Sequence, residues 1–201
     1  PTEVGTIYSK AELTALSETC HKYGLYLFLD GARLGYGLAA PDNDLTLPEI
    51  AALCDVFYIG GTKVGALFGE AVVIKNPELA QDFRYLIKQN GGMLAKGRLL
   101  GLQFDALFTD GLYQEISAHA IAMAEKLREA FTAKGYNYLA PNRTNQIFVI
   151  VPDAHLAKIS EQFEYSYDQR IDATHSCVRF CTSWATKEEN VDALIRCVEK
   201  L

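Results

Sequence analysis

No C-x-x-C pair occurs in this chain, and its five cysteines, Cys20, Cys54, Cys177, Cys181 and Cys197, are odd in number. That excludes a disulfide framework as the main source of stability and points to a reducing, cytoplasmic setting. Four lie inside apolar patterns, where free cysteine behaves as a small hydrophobe. The four histidines, His21, His119, His155 and His175, are scattered, without H-x-x-x-H spacing or a Cys/His cluster, so a zinc site is not expected. No apolar run is long enough to span a bilayer, and no signal-peptide pattern opens the chain. Basic residues are in deficit, 19 against 25 acidic, for a net charge of −6. A surface of that sign does not favour nucleic acid or an anionic membrane as partner. An initiator methionine is also lacking: the chain opens Pro1-Thr2-Glu3-Val4-Gly5. The expectation is a piece of a longer protein.

What is present is enough apolar material for a core, 49% of 201 residues, with an ordinary charged fraction. The length suits one large or two small domains. Internal repeats and low-complexity tracts are absent.

The chain is organised around Tyr58-Ile59-Gly60-Gly61-Thr62-Lys63-Val64-Gly65-Ala66-Leu67-Phe68-Gly69-Glu70-Ala71. One lysine stands on a glycine-rich turn between two apolar runs with strand character. Glycine lets backbone approach a ligand closely. An ammonium in apolar surroundings loses hydration and its pKa falls; a neutral lysine can attack a carbonyl to form a Schiff base. The turn is not a phosphate-cradling P-loop, because Thr62 rather than glycine precedes Lys63. A lysine in a glycine turn is more often a solvated loop tip, so a second signal is needed.

That signal lies upstream. Leu25-Tyr26-Leu27-Phe28-Leu29 reads as a strand buried on both faces, and it ends in Asp30-Gly31-Ala32-Arg33. In open α/β sheets ligands bind beyond the carboxyl ends of parallel strands. Asp30 would sit at one such end and Lys63 just past the next. An aspartate and a Schiff-base lysine facing one crevice are the pair that pyridoxal phosphate requires.

Around these runs the punctuation is regular. Ser9-Lys10-Ala11-Glu12 is a capping box opening a helix that buries Leu13, Leu16 and Cys20 and stops at Gly24. Gly35 to Asn43 reads as a loop. Thr46 caps a short helix to Cys54, and Asp55–Ile59 and Glu70–Lys75 are strands. Asn76-Pro77 opens a helix to about Gln89. Asn90-Gly91-Gly92 marks a soft boundary, which gives 1–92 as part of a large cofactor domain and 93–201 as linker helices and a small α+β domain. Met93 to Lys134 is helical, interrupted at Asp110-Gly111, with Leu99, Leu102, Phe104 and Leu107 as core, and Gly135 ends it. Strands follow at Gln146–Val151, Tyr165–Arg170 and Cys177–Thr182, with a helix from Pro152-Asp153 to about Phe163. Thr186-Lys187-Glu188-Glu189 is a second capping box, opening a helix with Val191, Leu194, Ile195 and Val198 inward. The fold class expected is α/β.

LFLDGAR, FYIGGTKVGALFGEA and VRFCTSWATKEENVDALI resemble the low-specificity L-threonine aldolases of the β-eliminating-lyase group, which are fold-type-I pyridoxal-phosphate enzymes. PTEVGTIYSKAEL is similar to the stretch that precedes the aspartate strand there. The resemblance covers the whole chain. It implies a mostly parallel sheet with helices in the large domain, and cleavage of L-threonine-type β-hydroxy amino acids to glycine and an aldehyde. Residue by residue, it implies that Lys63 carries pyridoxal 5'-phosphate, that Asp30 pairs with its ring nitrogen, that Arg33 lies beside it and that Arg179 grips the carboxylate of a small amino acid substrate. It also implies a homodimer or homotetramer, and a phosphate-gripping loop and ring-stacking histidine ahead of residue 1, so that the isolated chain would be inactive.

Two departures bear on substrate. Thr62-Lys63-Val64-Gly65-Ala66-Leu67-Phe68-Gly69 stands where many members have serine-lysine followed by G-L-G/C-A-P-x-G. Met93-Leu94-Ala95-Lys96-Gly97 stands where many have M-R-Q-A-G. Lys96 or Arg98 would have to replace the missing arginine; otherwise these two, with Arg84, read as surface charges. Arg179 alone also reads as the solvent face of an alternating strand. Aminotransfer and β-elimination share this scaffold, and a non-catalytic module that kept the fold is the alternative of a different class.

Overall fold

The computed structural model describes residues 2–201. It groups them into two compact units, one of Tyr8–Leu38 with Asn43–Glu115, the other of residues 2–7, Ala39–Asp42 and Ile116–Leu201.

The first unit opens with α1, Lys10–Lys22. Its capping box forms as the sequence dictates: the Ser9 side chain accepts from the Glu12 amide while Glu12 takes the Ser9 amide at 2.8 Å. Such a cap contributes about 1 kcal/mol. The buried face differs from the expected one. Leu13 and Ser17 are buried while Leu16 is exposed, because the Ser17 hydroxyl donates to the Leu53 carbonyl at 2.7 Å and turns that face inward. Strand β1 is short, Phe28–Leu29. Leu25, Tyr26 and Phe28 are exposed, against the expectation of a strand covered on both faces; only one side of β1 carries a hydrogen-bonded neighbour.

The loop expected over Gly35 to Asn43 begins instead as a buried turn of helix, α2, Leu34–Leu38. Tyr36, 1% exposed, drives the burial. Helix α3, Leu47–Leu53, begins at a second working capping box, Thr46 with Glu49. Strand β2, Val56–Gly60, follows, then β3, Glu70–Ile74. The sheet order is β1-β2-β3. β1 and β2 are parallel, Phe28 opposite Val56 and Leu29 opposite Phe57; β3 runs antiparallel to β2. Phe57 and Ile59 point into the core, which at this burial stabilises by about 1.5–3 kcal/mol each.

The helix expected from Pro77 starts only at Phe83. Asn76 caps a turn, accepting from the Glu78 amide, and Asp82 takes a left-handed conformation, φ 56°, that no α-helix continues through. α4 is therefore Phe83–Gln89. Helix α5, Arg98–Phe108, buries Leu107 but leaves Leu99 and Leu102 exposed, so this face is less of a core than its periodicity suggests. Although Asn90-Gly91-Gly92 breaks the pattern, residues 93–115 group with the first unit. Gln103 accepts from the Leu67 amide at 2.6 Å and donates to the Phe68 carbonyl at 3.3 Å, which ties α5 to the lysine turn.

Helix α6, Leu112–Ala133, leads into the second unit. Its sheet is β4, Asn137–Tyr138, β5, Gln146–Pro152, then, past α7, Asp153–Ile159, β6, Ser166–Arg170, and β7, His175–Cys181. The order is β4-β5-β7-β6, all antiparallel. Helix α8, Glu188–Glu199, closes the chain. Its expected capping box does not form: Lys187 is the N-cap, because the Thr186 hydroxyl accepts from the Ser183 amide at 2.8 Å. Val149, Val151 and Val178 of the sheet pack with Leu127, Phe131, Ile159 and Val198 of the helices in one apolar core.

Candidate functional site

Parallel pairing of β1 with β2 carries Asp30 and the lysine turn past the same end of the sheet. The backbones there lie unusually close. A Cβ on Gly31 would sit 1.6 Å from the Tyr58 carbonyl oxygen, and one on Gly60 would sit 2.4 Å from that of Ala32. Only glycine permits this approach. It explains why both strands leave the sheet on glycine.

Asp30 is exposed at the mouth of this end. Its Oδ1 accepts from the Ala32 amide at 3.0 Å and from the Tyr58 hydroxyl at 2.5 Å. These two bonds, with the Tyr58 bond the larger cause and the Lys63 charge a smaller one, hold its carboxyl below the ordinary aspartate range. It is a carboxylate at neutral pH. Burial, with the Asp30 bond next, pushes the Tyr58 phenol up to about 12.

Lys63 lies three residues beyond Gly60. Its side chain is exposed, not enclosed by apolar neighbours as the sequence suggested, because the turn lies at the surface with Leu67 and Phe68 also exposed. The backbone is better held than the side chain. Tyr36 donates to the Lys63 carbonyl at 2.5 Å. The Glu70 carboxylate accepts from the Gly61 amide at 2.5 Å. Val64 beside Lys63 is fully buried. The Tyr113 hydroxyl donates to the Gly60 carbonyl at 2.9 Å and accepts from the Gly35 amide at 3.1 Å, joining β2 to α2. A restrained backbone with a free amine is what a residue that must reach a ligand needs.

Arg33 is half-buried at the start of α2, its carbonyl accepting from Gly37. Asp30, Arg33 and Lys63 thus belong to the first unit. Arg179 belongs to the second, on β7 opposite Phe148. It is not on a solvent face. Its guanidinium donates to Gln146 Oε1 at 3.2 Å and to Ser166 Oγ at 3.5 Å, and its centre lies 6.0 Å from the Phe148 ring. Its Nε is buried and makes no hydrogen bond among the described residues. Arg84, Lys96 and Arg98 are exposed; Arg84 and Arg98 line an open cleft of about 990 Å³ with Lys88, Phe83 and Met93.

Sequence reasoning missed Tyr58 and Tyr36, the two phenols that brace the site. No signal in the sequence marked Tyr58: it meets Asp30 only through the parallel register that sets Leu29 opposite Phe57.

These residues fit a cofactor of the pyridoxal class. A charged carboxylate keeps Oδ2 clear of both donors that occupy Oδ1. Among the described residues the exposed Lys63 amine has no hydrogen-bond or ion-pair partner, and it lies just past the end of the adjacent strand.

A family model for β-eliminating lyases matches residues 2–154. A low-specificity L-threonine aldolase of Pseudomonas aeruginosa is 32% identical over 196 residues, 97% of this chain and 56% of that protein. Another from a Pseudomonas species is 34% identical, over 96% of this chain and 55% of its own length. The chain thus spans just over half the length of these relatives. Among solved structures, a threonine aldolase of Leishmania major superposes with a TM-score of 0.97 at 44% identity, covering 99% of this chain and 58% of that one. A putative L-allo-threonine aldolase of Listeria monocytogenes, 24% identical with a TM-score of 0.77, shares the fold.

Proposed function

The chain belongs to the β-eliminating lyase family, whose members depend on pyridoxal phosphate, and on that premise we propose that the protein is a carbon–carbon lyase cleaving L-threonine or L-allo-threonine type β-hydroxy amino acids to glycine and an aldehyde. The observation that carries this reading is a charged Asp30 and a free Lys63 beyond the ends of two adjacent parallel strands, close enough for the lysine charge to act on the carboxyl. The matched relatives, both low-specificity L-threonine aldolases, supply the substrate class.

When bound, the cofactor supplies a sink for the electrons of a bond broken at the substrate's Cα. Lys63 would hold the cofactor through its amine. Asp30 would pair with the cofactor's ring nitrogen through a charge-assisted bond, roughly twice as strong as a neutral one. Arg33, three residues after Asp30, would add positive charge beside an anionic ligand. Arg179 grips the substrate carboxylate as a two-pronged fork. That grip would orient the bound amino acid and so decide which Cα bond is cleaved, Cα–Cβ in the proposed reaction. A homodimer or homotetramer and a cytoplasmic setting complete the proposal. No helix among the described residues is long and apolar enough to cross a membrane.

The test is direct. The full-length protein is incubated with pyridoxal phosphate, reduced with borohydride and mapped by peptide mass, then assayed with L-threonine for glycine and acetaldehyde. A label on Lys63 with both products supports the reading. Labelling with a keto acid as product instead would replace lyase by aminotransferase, and no label on Lys63 would remove the cofactor. Asp30→Ala should abolish turnover while leaving Lys63 open to labelling.

A further inference from the structure

We infer that Tyr58 is a positioning residue of this site: its hydroxyl clamps one oxygen of Asp30, fixing the carboxylate's orientation and leaving the other oxygen for a ligand. The inference rests on the pyridoxal reading for what Asp30 faces, but the clamp itself is a feature of this chain's own residues.

The geometry is built by the sheet. In β2 the side chains alternate, so Phe57 and Ile59 enter the core and Tyr58 takes the opposite face. There its ring meets that of Phe28 on β1, centroids 6.1 Å apart at 43°. Phe28 and Leu29 pair with Val56 and Phe57, so Asp30 follows next to Tyr58. The phenol thus reaches Asp30 Oδ1 at 2.5 Å from a ring that two strands and an aromatic neighbour already hold still. The Ala32 amide binds the same oxygen at 3.0 Å. Two donors on one oxygen stop the carboxyl from rotating. A carboxylate on an exposed turn without them would sample several rotamers, and its second oxygen would have no fixed direction.

The clamp also sets how strongly Asp30 holds a proton. A donor shared into a carboxylate stabilises its charged form, and Asp30 is held low with the Tyr58 bond as first cause. Among the described residues, the other charged groups acting on this pair are Lys63, on Asp30, and Glu70 of β3, on Tyr58. A carboxylate that competes weakly for the proton leaves more of it on a ring nitrogen. Tyr58 would therefore act on the cofactor only through Asp30, which separates it from a residue that merely fills space.

Tyr58→Phe keeps the ring, the Phe28 contact and the strand, and removes one oxygen. Carboxyl ¹³C titration of Asp30 in the cofactor-free chain should show its midpoint move upward in Tyr58→Phe, with thermal midpoint and far-UV spectrum little changed. In Asp30→Asn, ultraviolet titration should show the Tyr58 phenol ionising at lower pH than in the parent. With cofactor, the ring-nitrogen ¹⁵N signal should shift toward the unprotonated form in Tyr58→Phe, and cofactor affinity should weaken about threefold to tenfold, as for loss of one charge-assisted contact acting at second hand. An Asp30 titration unchanged by Tyr58→Phe overturns the inference, even if Lys63 is labelled and the enzyme turns over. Failure to label Lys63 in the full-length parent protein overturns the pyridoxal reading instead, and leaves the cofactor-free titrations to decide the clamp.

Discussion

The phenol of Tyr36 donates to the backbone carbonyl of Lys63 at 2.5 Å, from a side chain that is 1% exposed. The residue proposed to carry the cofactor is thus tethered by its main chain to α2, the helix that follows Asp30 and Arg33. Tyr36→Phe would leave that carbonyl without this donor at a site water reaches poorly. A lost bond of this kind costs about 1–3 kcal/mol. The expected result is a lower urea midpoint with an unchanged slope, together with faster amide exchange from Gly61 to Ala66. An unchanged midpoint would mean that the turn is held by Glu70 and Val64 alone.

Close backbone approach at the strand ends makes a second prediction. Gly31→Ala would drive a methyl into the Tyr58 carbonyl, 1.6 Å from its oxygen. Neither partner is a flexible side chain, so the strands must part, and overpacking of this severity costs about 3 kcal/mol or more. Gly24→Ala is the matched control: nothing lies within 4 Å of a Cβ there, and only its positive φ of 67° is strained, at about 1 kcal/mol. Thermal denaturation should rank Gly31→Ala well below Gly24→Ala. Equal midpoints would show that β1 and β2 do not close as described.

The caps show what a linear reading reaches. Ser9 with Glu12 and Thr46 with Glu49 form their boxes because every partner lies within four residues. Thr186 with Glu189 matches the same pattern and fails because Ser183, three residues the other way, takes the threonine hydroxyl. Local competition of that kind is not visible in a motif. Asp30 and Lys63 were legible from composition around them, as a carboxylate and an amine each closing an apolar run. Tyr58 was not, since its partner lies 28 residues away and meets it only through parallel register. The helical face of Leu99 and Leu102 misled for the converse reason: periodicity records which side is apolar, not whether anything in the unit covers it.

Acid should loosen α3. Glu49 accepts from the Lys10 ammonium at 2.7 Å and from the Thr46 amide and hydroxyl at 2.8 and 2.7 Å. The Lys10 bond first, then those from Thr46, lowers its carboxyl from 4.5 to about 2. A depressed carboxyl stabilises the fold fully above its unfolded value and loses that contribution as pH falls through the folded one. The window is therefore from 4.5 down to about 2. Amide exchange over Leu47–Leu53 should accelerate across it, and Glu49→Gln should be flat there. A parent protein equally flat would remove Glu49 as the acid-sensitive cap.

Arg179 tests substrate recognition separately from the cofactor. It is anchored by Gln146 on β5 and Ser166 on β6, with its plane near Phe148, so its fork is oriented before any ligand arrives. A fork held in advance loses little entropy on binding a carboxylate. Arg179→Lys keeps the charge but replaces the planar fork by one ammonium on a flexible stem. Under the proposed role, KM for the amino acid should rise about tenfold or more, since each tenfold is about 1.4 kcal/mol and a charged hydrogen bond is worth at least that. Reaction selectivity should fall as well, with by-products of breaking the wrong Cα bond appearing beside glycine. Labelling of Lys63 by borohydride should not change, because Arg179 touches substrate and not cofactor in this scheme. Arg179→Lys with parental KM would take the residue out of the site and leave its bonds to Gln146 and Ser166 as sheet structure only.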